Sequence, residues 1–350
     1  MRALFWSVRR RPPRRGDRQW VHTAAEALLA VGLVATALGV SRLAGAPLPY
    51  PVSAAVQGML PLVAAVKPAG PVVQARVELF SNAQGRAVLV VAGDQADLID
   101  GGPTELGEAV LARLRALHIT RLQRVVLTSG GTSSAAGLVP LLQAVAVGRI
   151  LDLVPGNRCP AHDAVLAAAR ARGTPVQPVQ RGTTVHLGPV QMNILWPATD
   201  LAQPGSLPAG AGMVRLVDGQ VRILLAATVN PQELDSLRRL GPDLRAQVLE
   251  VPAPVVPASL PQEFLRAVAP RVAVLEPRLG VAPDPAVVQR LAAAHAVTVE
   301  TTQAAGLQIA TDGRGLTLSF DPGLPTTAPS APEEAAEPAP ASPAAGGACA

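Results

Sequence analysis

Leu127-Thr-Ser-Gly-Gly-Thr-Ser-Ser-Ala-Ala-Gly-Leu138 is the stretch on which the reading of this chain turns. It follows a short apolar segment, 124–127, that reads as a buried strand, and a helix is expected to start within 134–145. The loop between them carries only Ser, Gly, Thr and Ala, with no side chain that ionises near neutral pH. Taken alone it is an ordinary turn after a strand, because Gly and Ser are common loop formers.

Working outward, the chain alternates strands and helices from about residue 72 to 320. Segments 77–80 and 87–92 read as strands joined by the turn Ser81-Asn82-Ala83-Gln84-Gly85, a hairpin signal. Strand 96–99 ends at Asp100-Gly101-Gly102-Pro103, and Thr104 is placed to cap a helix over 105–117. Leu106, Val110, Leu111 and Leu114 form that helix's apolar face. Strand 148–153 and an Ala-rich helix over 161–172 follow, then an antiparallel set at 183–187, 190–195, 214–217 and 220–226. Helices are expected at 231–240, 261–268 and 285–294, and strands at 246–251, 272–275 and 297–301. Segments 308–310 and 315–320 close with a hairpin around Asp312-Gly313. Meanders mixed with αβ crossovers over this length predict two sheets covered by outer helices.

The net charge of +5 is concentrated at one end. Residues 1–20 contain seven arginines (Arg2, Arg9, Arg10, Arg11, Arg14, Arg15 and Arg18) and one acid, Asp17, a balance of +6 that leaves −1 for the rest. A near-neutral body is a poor electrostatic partner for nucleic acid, which needs a basic patch against its phosphates. The arginine cluster reads instead as a membrane topology signal. Aromatics make up 2% of the chain, so Ala, Val and Leu must fill the core. Cysteine occurs twice, at Cys159 and Cys349, with no spacing that defines a disulfide framework or a zinc site.

Residues 24–46 are mostly apolar, and 27–40 are free of charge. A helix of about 20 residues spans a bilayer, a length reached here only with the flanks. An uncleaved signal anchor with the N-terminus in the cytoplasm places the body outside. A cleaved signal peptide is the competing reading, since Ala44-Gly45-Ala46 resembles a cleavage site, although Pro47 directly after it is unfavourable. The run 52–66 is interrupted by Gln57 and Pro61 and is too short to span alone. The expected domains are therefore a basic cytoplasmic arm (1–22), a transmembrane helix (23–46), a Pro-containing linker (47–72) and a folded domain (73–320). A Pro/Ala/Glu-rich tail (321–350) lacks any core-forming pattern and is expected to be disordered.

Several stretches in order carry a resemblance: Leu98-Ile-Asp-Gly-Gly-Pro103, Leu117-His-Ile-Thr-Arg-Leu122, Val125-Val-Leu-Thr128, Gly137-Leu138, Val147-Gly-Arg-Ile-Leu151 and Ile194-Leu-Trp-Pro197. Leu224–Thr228, Val251-Pro252 and Pro285-Ala-Val-Val-Gln-Arg-Leu291 continue it. Together they resemble the metallo-β-lactamase superfamily, and within it the extracytoplasmic domain of the ComEC DNA-uptake family, over about residues 73–320. No sign of that family's multi-span channel is present. The resemblance implies an α/β fold, a metallo-β-lactamase-like αββα sandwich of two mixed sheets covered by outer helices, behind an N-terminal transmembrane helix.

The same resemblance implies a metal site whose ligand positions are all changed here. Two His and two Asp fall at Ser129, Gly131, Ser133 and Ser134, a metal-bridging Asp at Thr228, and paired His at Ala253 and Pro254. The late motif matching 279–284 has no His, and the early turn, where the family implies acids, has Ser81 and Arg86. What is kept is scaffold: Asp100, Gly101, Gly102 and Gly137, read as residues that shape turns. Zinc in such sites takes imidazole, carboxylate or thiolate, and un-ionised hydroxyls bind it poorly. Without metal nothing lowers the pKa of water to about 7. The five histidines (His22, His118, His162, His186 and His295) fall outside every ligand position and read as surface or helix-end residues. No base or orienting group marks Ser129, Ser133 or Ser134 as a nucleophile.

The sequence therefore leads to a membrane-anchored, extracytoplasmic domain that keeps the fold without cofactor or catalysis, with a binding or structural role at the envelope. A divergent metallohydrolase or nuclease linked to DNA uptake is the alternative. A third reading is an accessory scaffold that contacts a membrane complex through 47–72 or the tail.

Overall fold

The computed structural model describes residues 73–321 except 83, 158, 198–211, 227–236, 238, 240, 252–256, 258–259, 277–282 and 302–305. The chain divides into two units, Met1–Gly70 and Pro71–Ala350, and every described residue belongs to the second. The arm, the 23–46 helix, the linker and the tail after Asp321 lie outside the described residues, as do most of 231–240. No helix among the described residues is long and apolar enough to cross a membrane.

In chain order the strands are β1 (Ala75–Asn82), β2 (Gly85–Ala92), β3 (Gln95–Ile99), β4 (Arg121–Leu127), β5 (Ala146–Asp152), β6 (Val176–Pro178), β7 (Thr184–Leu187), β8 (Val190–Trp196), β9 (Met213–Asp218), β10 (Val221–Leu225), β11 (Val248–Val251), β12 (Val272–Leu275), β13 (Val297–Glu300), β14 (Gly306–Thr311) and β15 (Leu316–Asp321). The described helices are α1 (Thr104–Ala116), α2 (Thr132–Ala135), α3 (Leu138–Ala144), α4 (Pro160–Ala171), α5 (Gln262–Val268) and α6 (Pro285–Ala293). One sheet runs β15-β14-β1-β2-β3-β4-β5-β6, and the other β13-β12-β11-β10-β9-β8-β7. Both are mixed. The first is parallel from β3 to β6 and antiparallel elsewhere; the second is parallel from β10 to β13.

The layering follows from the two-residue period of a strand. In β2, Val88, Val90 and Ala92 face the core between the sheets, while Ala87, Leu89 and Val91 face a second core beneath helices α1 to α4. Such strands are buried on both faces and so read as unbroken apolar runs. A third core lies outside the other sheet, where Phe264 and Leu265 of α5 and Val287 and Leu291 of α6 meet Leu249 and Leu275. Helix, sheet, sheet, helix is the four-layer order expected from the sequence.

Local differences have local causes. Thr104 does not cap α1: it is the first helical residue, and Pro103 is the N-cap with no side-chain bond. The Pro103 carbonyl instead accepts Leu106 and Gly107 N–H at 3.1 and 3.2 Å. Asp284 does cap α6, accepting the Ala286 N–H at 2.8 Å, with Pro285 as first residue. A helix does start within 134–145, as α3, and the short α2 precedes it, the Gly137 N–H between them bonding the Gly102 carbonyl at 2.8 Å. Strand β6, three residues ending in Pro178, is too short to show any periodicity.

Candidate functional site

The loop 127–138 sits at the ends of β3 and β4, held by a carboxylate. Asp100, fully buried after β3, accepts the Thr128 N–H at 2.8 Å and the Thr128 hydroxyl at 2.5 Å. Its backbone is in the left-handed region, φ 57°, a conformation costly for a non-glycine residue. The expected role as a turn cap is thus too small, since Asp100 ties the end of β3 to the loop after β4. Burial pushes its carboxyl up, against the opposing pull of the Arg86 guanidinium and the Thr128 bonds.

A glycine frame brings these segments together. A Cβ on Gly137 would lie 2.2 Å from the Gly101 carbonyl oxygen, and one on Gly107 would lie 2.3 Å from that of Gly137. The β1–β2 turn closes on the same loop, because a Cβ on Gly85 would stand 2.0 Å from the Ser133 carbonyl oxygen. Gly102 has φ +67°. Gly101, Gly102 and Gly137 are therefore positions of backbone-to-backbone contact as well as turns.

Ser129, Gly131, Ser133 and Ser134 lie together in this loop and α2. The Ser129 hydroxyl accepts the Gly131 N–H at 3.4 Å, and the Ser134 carbonyl accepts the Gly101 N–H at 2.7 Å. Thr228, Ala253 and Pro254 lie outside the described residues.

Charge enters from a direction the sequence reading did not take. Arg86, the second residue of β2, is 5% exposed and directs its guanidinium across the gap between the sheets. Its NH2 lies 3.5 Å from Asp100 Oδ2, and its Nε lies 3.2 Å from Oε1 of Glu250 in β11 of the opposite sheet. Glu250 is fully buried and Glu276, just after β12, is 5% exposed. Burial and the neighbouring Glu250 push the Glu276 carboxyl well above its ordinary value. Burial opposes the Arg86 charge, but Glu250, Asp100 and Glu276 together outweigh it and raise its pKa. Arg86 NH1 and Glu276 Oε1 have no hydrogen-bond partner among the described residues.

This cluster had a signal. Glu250 interrupts Val-Leu-Glu-Val, Glu276 follows Val-Ala-Val-Leu, and Arg86 opens an apolar strand. A charge at the end of a buried strand needs a partner. In the sequence Arg86 reads only as a missing acid, although it supplies the positive charge facing three carboxylates.

His162 corrects another expectation. It lies in the first turn of α4 but is fully buried, with Nε2 3.1 Å from Asp152 Oδ2. Asp152 also accepts the Val154 N–H at 2.9 Å, which orients the pair at the end of β5. His118 and His295 follow helices with φ 57° and 59°, as helix-end residues do.

The donor set does not suit a metal. Ser129, Ser133 and Ser134 offer hydroxyls, Gly131 offers no side chain, and a guanidinium faces the nearby carboxylates. No group of three His, Cys, Asp or Glu able to hold a metal occurs among the described residues. A cavity of about 460 Å³ lies at the opposite end of the sandwich, lined in part by Val221, Val272, Arg271, Arg314 and Leu316.

A four-layer αββα sandwich thus carries a buried charged cluster at its strand ends. No family model matches the chain. The ComE operon protein 3 of Bacillus subtilis (strain 168), a ComEC-like protein, is 24% identical over 220 residues. That match covers 58% of this chain and 28% of the relative, so the chain corresponds to under a third of that protein's length. Among solved structures, the metallo-β-lactamase-fold protein YhfI from Bacillus subtilis is similar with a TM-score of 0.43 and 17% identity, over 65% of this chain and 96% of that one. CmlA, a diiron β-hydroxylase from Streptomyces venezuelae, gives 0.42 and 15%, over 65% of this chain and 53% of that one. The chain thus resembles metallo-β-lactamase-fold proteins and a ComEC-like relative.

Proposed function

We propose that this domain is a non-catalytic member of the metallo-β-lactamase-like fold, anchored through residues 23–46 with its body outside the membrane, where it serves a binding or structural role at the envelope. One observation carries the reading: the guanidinium of Arg86 lies between Asp100 and Glu250 at the strand ends, in a site whose loop supplies only hydroxyls and glycines. A fixed internal cation faces the buried Asp100 and Glu250 at the place where a metal ion would otherwise offset their charge. The near-neutral charge of the body argues in the same direction against a nucleic-acid substrate.

The full chain in detergent, assayed for bound metal by elemental analysis and for phosphodiesterase turnover, is expected to hold no stoichiometric zinc, manganese or iron and to show no metal-stimulated activity. Stoichiometric metal with metal-dependent hydrolysis establishes the alternative, a divergent hydrolase or nuclease, for which the 24% identity to the ComE operon protein 3 is the supporting observation.

A further inference from the structure

The two sheets part along one edge, where β15 borders one sheet and β13 the other. Val297 and Val299 of β13 pair with Val272 and Val274, and Leu318 and Phe320 of β15 pair with Ile309 and Leu307. Paired residues share a face, and Val274, Ile309 and Leu307 belong to the core between the sheets. The edge residues, with Leu316, therefore point into the same gap. They are not covered there: Val297 is 64% and Phe320 48% exposed, and Val299, Leu316 and Leu318 are half-buried. Elsewhere the facing sheets close over the gap; here an apolar slot remains, about 14 Å long from Leu316 to Phe320 at roughly 3.4 Å per residue.

Val297 and Leu316 also line the cavity of about 460 Å³, a size typical of small-molecule sites. Two guanidiniums stand with them, Arg271 just before β12 and Arg314 in the β14–β15 turn. Neither makes an ion pair among the described residues. Asp312, in the turn with Arg314 and attracted by it, is held by the Arg314 and Gly315 N–H groups at 2.9 and 2.7 Å. The turn itself is fixed, since the Gln220 N–H donates to the Gly313 carbonyl at 2.7 Å and the Thr311 hydroxyl to Asp218 at 3.0 Å.

We infer that this slot holds one long-chain carboxylate, its alkyl chain between β13 and β15 and its head at Arg271 and Arg314. The apolar walls match the chain, and the paired cations at one end match a single anionic head, which a guanidinium can meet with two bonds. A gap one layer deep admits one chain, whereas a diacyl lipid carries two. The site lies at the opposite end of the sandwich from the Arg86 cluster, so its failure leaves the reading of that cluster untouched.

The test exposes the full chain, in a maltoside detergent, to palmitate carrying a photoreactive diazirine, and maps the crosslinks. They are expected at Val272, Val297 or Leu316, lost with excess palmitate and kept with excess hexadecanol, which has the chain without the charge. Arg271→Gln with Arg314→Gln is expected to raise the half-labelling concentration about tenfold at an unchanged thermal midpoint, since both side chains are exposed. Val297→Trp fills the slot at its open edge and is expected to remove the crosslinks with the fold intact. Competition by hexadecanol as good as by palmitate, or equal labelling of the double arginine variant, overturns the carboxylate. Crosslinks only outside these strands overturn the slot. Displacement by phosphatidylglycerol but not by palmitate assigns the slot to a membrane phospholipid and overturns the free acid. A dimer that shields Val297 and Phe320 from the probe assigns it to a second copy and overturns the ligand.

Discussion

Arg113 and Arg86 both meet carboxylates buried to zero exposure, yet their surroundings differ. Arg113 on α1 grips Glu78 with two bonds, Nε at 2.9 Å and NH2 at 2.7 Å, and Gln308 and Asp321 complete the group at the edge of the sheet. The Glu78 bonds, stronger than the opposing burial, raise the Arg113 pKa. Arg86 has one cation for three carboxylates, at longer distances, and burial beside Glu250 pushes the Glu276 carboxyl up. Bidentate pairing fixes a helix onto a strand. The second arrangement resembles a site whose charges are not matched one to one, and it lies where the two sheets meet.

The sharpest way to break this comparison is to remove each cation. Arg86→Met leaves Asp100 and Glu250 buried without their counter-ion and is expected to cost about 3–5 kcal/mol in denaturant unfolding. The double variant Arg86→Met with Glu250→Leu is expected to recover part of that loss, because an apolar replacement of both partners removes the stranded charge. A double variant no more stable than the single one would show that Glu250 gains nothing from Arg86. Gly137→Ala tests the frame that holds Asp100 in place. Its methyl would meet the Gly101 carbonyl, at an expected cost of about 1–3 kcal/mol that does not change with pH. Arg113→Met is expected to cost less than Arg86→Met, about 1.5–3 kcal/mol, since Gln308 still donates to the buried Glu78. Equal losses at Arg86 and Arg113 would erase the distinction.

Much of this fold was legible because doubly buried strands leave a strong mark. Segment 272–275 and the hairpin about Asp312-Gly313 appear where the apolar pattern puts them. The 127–138 loop was legible as a position, by its order after β4, but its anchoring was not. Asp100 reads as a turn residue because its partner Thr128 is 28 residues away, beyond local pattern. The Arg86–Glu250 contact spans 164 positions and joins different sheets, so no periodicity reports it. His162 shows the same gap. Its place on the buried side of α4 follows from the helix period, but its carboxylate partner comes from a strand end ten residues earlier.

The finest test of the contrast is the titration of Glu276. Its folded pKa lies well above the ordinary 4.5, because burial and Glu250 disfavour its charge. Between 4.5 and that raised value the folded state binds more protons than the unfolded chain, so stability is greatest below 4.5 and falls as pH rises through the window. Glu276→Gln keeps the shape and cannot ionise, so it removes that slope. The variant is expected to match the wild type near pH 4.5 and to gain on it as pH rises, by no more than about 1.4 kcal/mol per pH unit. Unfolding free energies across pH 4 to 8 measure the difference directly. Parallel curves would mean that Glu276 ionises as readily folded as unfolded, and the Arg86 cluster would then be as evenly paired as Arg113 and Glu78.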